Sequence, residues 1–179
     1  MAIAPTTDRR LAPLLQALAL AAGTVAVACT MTTEIAPELR PAGNASLQRT
    51  LAARGVQVYE CRATSGSYAW AFVAPEAELF DAKGHRVGHH GAGPTWIADD
   101  GSAVKAKVRA SQPAPAADAI PWLLLDASDT GGPGMLAGMT QVQRINTFGG
   151  TAPAGGCTAA SAGSKARVPY LADYRFYIQ

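Results

Sequence analysis

The cleanest pattern of apolar and polar positions lies at the carboxyl end. From Ala172 to Ile178, Tyr174, Phe176 and Ile178 alternate strictly with Asp173, Arg175 and Tyr177. A period of two puts alternate side chains on opposite faces of an extended chain, so the segment predicts a strand with one buried face. Upstream, Val56 to Cys61 sets Val56 and Val58 against Tyr59 and Cys61, and Tyr68 to Val73 is apolar on both faces. Trp122 to Leu125 is a continuous apolar run entered through Ile120-Pro121, as for a buried strand whose proline sits where no ladder donor is lost. Ala103 to Ala110 alternates less clearly, and Val142 to Thr147 reads as a polar-alternating strand. Between Leu79-Phe80 and Arg86-Val87, Asp81-Ala82-Lys83-Gly84 predicts a hairpin turn with Gly84 in the left-handed position.

One segment suggests a helix. Asn44 is placed to cap it, Leu47 and Leu51 share a face, and Gly55 stands where a residue of positive φ would end it. About eight strands near ten residues apart, one short N-terminal helix and no βαβ rhythm predict an all-β, mainly antiparallel fold, either a β-sandwich or a closed barrel.

The first residues follow another pattern. Arg9-Arg10 precedes an uncharged stretch from Leu11 to Ala28 that ends in Ala26-Val27-Ala28-Cys29. Residues 1–28 therefore read as a secretory signal, with a basic region, an apolar region and small residues at the cleavage point. The rival, an uncleaved anchor, is disfavoured by Pro13, Gln16 and Gly23 within the stretch. Whether the paired arginines mark the twin-arginine route or the general one stays open. Residues 29–43, with Pro37, Pro41 and Gly43, suit a tether, which leaves 44–179 as a single β-rich domain.

Hydrophobic residues make up 49% of the chain, enough for a globular core, but alanine supplies so many that larger side chains must fill it. The formal charge of +2 is scattered, with no run of Lys or Arg to trace a phosphate backbone, so nucleic acid is not an expected partner. The three cysteines divide as one and two. Cys29 follows Val27-Ala28, where a bacterial lipobox places the cysteine that is acylated. Cys61 and Cys157 are then the only thiols of the mature body, and in an oxidising compartment their simplest state is a disulfide. The expected location is thus the periplasm, or the membrane surface through a lipid at Cys29.

Several motifs can be read together: Gly55-Val56-Gln57-Val58-Tyr59-Glu60-Cys61, Pro75-Glu76-Ala77, His89-His90-Gly91-Ala92-Gly93-Pro94-Thr95-Trp96, Asp100-Gly101-Ser102, Ile120-Pro121-Trp122-Leu123-Leu124-Leu125, Arg144-Ile145-Asn146-Thr147, Cys157 and Pro169-Tyr170-Leu171-Ala172-Asp173-Tyr174. Their order resembles a family of secreted bacterial and fungal proteins classed as a domain of unknown function, DUF3455. The resemblance runs from about Leu39 to Tyr177. It implies an exported β domain and supplies no activity. Gly91 departs from it, standing where an aromatic residue is expected.

The chemistry-bearing residues give two readings. In the first, a noncatalytic domain binds a small molecule or an envelope partner through loops around His90, Thr95 and Trp96, with Asp100 and Arg144 as further candidates and no cofactor. In the second, His89 and His90 with Asp99 or Asp100 form a metal or hydrolytic site, since imidazole is a common ligand. Strand geometry opposes the second, because His89 and His90 point to opposite faces. Arg144, in an otherwise uncharged strand, is expected to pair with Asp126 or Asp173 or to meet an anionic ligand. The run Gly132-Pro133-Gly134 to Gly138 imitates a dinucleotide fingerprint, but Gln141 to Arg144 after it reads as strand rather than helix.

Overall fold

The computed structural model describes residues 1–2 and 34–179; Cys29 and residues 3–28 of the stretch read as a secretory signal lie outside the described residues. The alternating segments pair in chain order as one closed antiparallel sheet. Its strands are β1 (Ser46–Thr64), β2 (Ser67–Phe80), β3 (Arg86–Gly91), β4 (Thr95–Ala98), β5 (Ala103–Gln112), β6 (Trp122–Gly131), β7 (Gln141–Gly149) and β8 (Lys165–Ile178). β8 returns to β1, from Ser46 opposite Ile178 to Glu60 opposite Lys165, and closure leaves no unpaired edge. Of the two all-β forms expected, the barrel is the one that forms.

Alternation sorts the side chains as the sequence suggested. On β8, Tyr170, Ala172, Tyr174 and Phe176 turn inward and are buried, meeting Leu51, Ala53, Leu79, Trp96, Val104 and Val142 in the interior. The hairpin at Asp81–Gly84 forms, with Gly84 at φ 82° and its N–H donating to the Asp81 carbonyl at 3.0 Å.

The expected N-terminal helix does not form, because Ser46–Thr64 is one long strand. Leu47 and Leu51 are four apart, a spacing that places residues on one face of a helix and of a strand alike. An irregularity in the pairing with β8 between Leu47 and Arg49 then breaks even that relation, leaving Leu47 exposed and Leu51 buried. Gly55 caps nothing. It lies mid-strand, where a Cβ would meet the Ala77 Cβ at 2.6 Å, so glycine is needed for the close approach of β1 and β2.

The segment expected to be a tether packs on the barrel through Ile35 and Leu39. Leu39 is fully buried in a second apolar cluster with Trp122, Leu124 and Ile145 on the outer face of β6 and β7. That cluster explains the continuous run in β6, whose Leu123 and Leu125 face the barrel interior while Trp122 and Leu124 lie under this strap. Pro37 and Pro41 interrupt any ladder, and glutamine side chains replace it. The Ala36 N–H donates to Gln112 Oε1 at 3.0 Å, the Ala42 N–H to Gln141 Oε1 at 3.0 Å, and Gln143 Nε2 donates to the Leu39 carbonyl at 2.7 Å. The packed body thus begins before residue 44.

Two loops complete the barrel. The loop after β6 inserts Leu136 and Met139 into the interior cluster. Asp100 holds it: its carboxylate accepts from the Ser102 hydroxyl at 2.6 Å and from the Met135 N–H at 2.7 Å, while the Ser102 Oγ accepts from the Leu136 N–H at 3.1 Å. The loop before β8 is joined to β1 by the disulfide Cys61–Cys157, with Cα atoms 5.3 Å apart.

Candidate functional site

The Leu136 loop fills the interior beside Leu51 and Leu79, but further along β1, past Gly55, the inward positions are Gln57 and Tyr59 and the barrel is not filled. A cavity of about 300 Å³ remains there, at the small end of the range that ligand pockets occupy. Its wall is mainly apolar and includes Ile120, Leu123, Leu125, Pro75 and Pro94. Phe72, Val73 and Val108 line it while also being solvent-exposed, which puts them at its mouth.

Polar groups enter from strands rather than loops. His90, inward on β3, stacks on Trp96 of β4 with ring centroids 4.5 Å apart and touches Tyr174 edge-on at 4.9 Å. Its Nδ1 lies 2.9 Å from the Thr95 carbonyl. A carbonyl can only accept, so Nδ1 carries the proton and Nε2 is the acceptor. Burial disfavours the imidazolium and drives the His90 pKa down to about 3, against the opposing pull of the Thr95 carbonyl. Burial likewise raises Tyr170 and Tyr174 above the usual phenol range. The two hydroxyls stand close enough for each to shift the other's ionisation, and Arg144 favours the ionised form of both. Tyr59 differs, its hydroxyl donating to the Gly150 carbonyl at 2.7 Å.

Arg144 is the charged member. Its Nε and Nη2 both donate to the Pro121 carbonyl, at 3.0 and 2.8 Å. The expected bridge to Asp126 or Asp173 is not made. On β7, Arg144 stands opposite Leu123 and Tyr174, both inward, whereas Asp126 stands opposite Gln141 and Asp173 opposite Ile145, on the outer face. Asp126 accepts from Gln141 and Asp173 from Asn146. Among the described residues Arg144 has no carboxylate partner. Its charge nevertheless bears on Tyr59, His90, Tyr170 and Tyr174, which places the guanidinium among them.

The structure therefore brings together three of the residues read as ligand-binding, His90, Trp96 and Arg144. Thr95 contributes through its carbonyl alone, and Asp100 lies in the loop clamp. The metal set does not converge: His90 points inward, while His89 stands exposed opposite Ile97, and Asp99 accepts from Arg86 at 2.8 and 2.9 Å. No group of three metal-ligating side chains occurs among the described residues. A wider groove outside the barrel, beside Arg54, Arg167 and His89, has its charges largely matched, Arg167 to Glu76 at 2.6 Å and Arg86 to Glu78 at 3.2 Å. Gly91 lies along it, and a Cβ there would meet nothing within 4 Å, so the backbone does not demand glycine.

Sequence reasoning missed Gln57, Tyr59 and Tyr174 as cavity residues, because each sits in a regular strand and looks like core. The signal was present for one of them: Gln57 occupies the same face of β1 as Tyr59 and Cys61, an amide on an inward row.

This chain belongs to the family described as Protein of unknown function (DUF3455), whose model matches residues 41–178. No curated protein and no solved structure matches it.

Proposed function

We propose that this member of the family is an exported, noncatalytic binding protein whose barrel interior takes one small, largely apolar molecule. The observation that carries the reading is the cavity itself: an apolar chamber of about 300 Å³ with a guanidinium and several buried polar groups that the protein leaves unpartnered. Barrels of eight strands either fill their interior with side chains or hold one small ligand, and the unfilled length past Gly55 favours the second. Binding is favoured over turnover because His90 is neutral, stacked, and engaged with a backbone carbonyl, an arrangement that orients a ring without activating a nucleophile. Export rests on the signal pattern of residues 1–28, and a disulfide between the two body cysteines suits an oxidising compartment.

The test is a fluorescence titration of the mature domain with N-phenyl-1-naphthylamine, a neutral apolar probe that brightens out of water. Saturable binding at one probe per chain is expected. An emission no greater than that of an unrelated protein of equal exposed apolar area would defeat the reading.

A further inference from the structure

On the binding reading just given, we infer that the pocket is built for a monocarboxylate with an apolar tail, the carboxylate resting on Arg144. A guanidinium has five N–H donors, and two of those on Arg144 are spent on the Pro121 carbonyl from Nε and Nη2. The edge formed by Nη1 and the second Nη2 hydrogen is left, and that edge is the fork which a carboxylate accepts with two parallel bonds. The other polar groups of the lining are mixed: Gln57 Nε2 and Trp96 Nε1 are donors buried without an acceptor, and His90 Nε2 is an acceptor, so the assignment rests on the free edge of Arg144. A cation without a counterion in an apolar wall costs free energy until an anionic acceptor reaches it. Two carboxylate oxygens offer about four acceptor positions and one compensating charge. An amine would meet the guanidinium as a like charge. A doubly charged phosphate would exceed the single countercharge available and would leave the apolar wall of Ile120, Leu123 and Leu125 without a partner.

Displacement of N-phenyl-1-naphthylamine by octanoate and by octan-1-ol isolates the head group, since the two tails are alike. Octanoate is expected to displace the probe from the wild-type mature domain at a concentration at least about tenfold lower than the alcohol. Arg144→Gln should bring the two displacing concentrations to parity, a ratio read within the variant whatever its affinity for the probe. Equal or better displacement by octanol from the wild type, or a preference that survives Arg144→Gln, overturns the carboxylate assignment and leaves the apolar pocket standing. Failure of the wild type to bind probe, alcohol and acid alike overturns the pocket itself. The wild-type comparison is decisive even if a variant does not fold.

Discussion

The His90 ring lies on the Trp96 ring at 4.5 Å and only 9° from parallel, sealed from water on the inner face of the barrel. Burial makes the imidazole costly to protonate. In the unfolded chain it takes a proton near its ordinary value of 6.5, in the folded chain only at about 3. Between those values the unfolded state binds more protons, so stability falls as pH falls across this window and is regained as pH rises. Urea unfolding from pH 7 to pH 4 should show the wild type losing up to about 1.4 kcal/mol per pH unit more than His90→Phe, which cannot titrate. Parallel curves for the two proteins would mean that His90 titrates alike folded and unfolded.

The strap makes a separate claim. Leu39 is fully buried against Trp122, Leu124 and Ile145, and its removal leaves a cavity that three glutamine contacts cannot close. Leu39→Ala should lower stability by about 2–5 kcal/mol, while the exposed neighbour Glu38→Ala stays within about 0.5 kcal/mol. Equal behaviour of the two variants would show that the segment is a tether after all.

Cys61 and Cys157 close a loop of 96 positions, the kind of crosslink that chiefly restricts the unfolded chain. Alkylation of the nonreduced mature domain under denaturing conditions should label neither residue. Cys61→Ala with Cys157→Ala should cost about 2–5 kcal/mol. Labelling of either cysteine without reductant would contradict the pairing.

Strand positions were legible because burial of one sheet face imposes a period of two, and Ala172 to Ile178 displays it directly. Three things were hidden for physical reasons. The Leu47 and Leu51 spacing belongs to helix and strand equally, so only pairing with β8 decided it. The strap was hidden because its backbone bonds go to glutamine side chains more than 70 positions away, a partnership that leaves no local pattern. The pocket was hidden in part because its edge comes from separate strands: His90, Trp96 and Arg144 stood out by residue type, whereas Tyr174 and Leu125 look the same whether they fill a core or line a chamber. What misled about Arg144 was counting nearby carboxylates without asking which face of the sheet each one occupies.

The proposed export adds a prediction at the other end of the chain. If Cys29 carries lipid, the full chain expressed in a bacterium and recovered from its membranes should exceed the mass of the peptide beginning at Cys29 by the acyl groups. A mature protein of unmodified mass, recovered without detergent, would leave the soluble periplasmic form.

The central claim, that the barrel interior is the binding site, is tested most directly by obstructing its mouth. Val108 both lines the cavity and is exposed, so a larger side chain fits there without disturbing the core, whereas Phe148 is exposed away from the cavity lining. N-phenyl-1-naphthylamine should bind the wild type and Phe148→Trp alike and bind Val108→Trp at least about tenfold more weakly, with the three melting temperatures unchanged. Equal binding to all three, or a loss confined to Phe148→Trp, would place the apolar site on the outer surface and contradict the account.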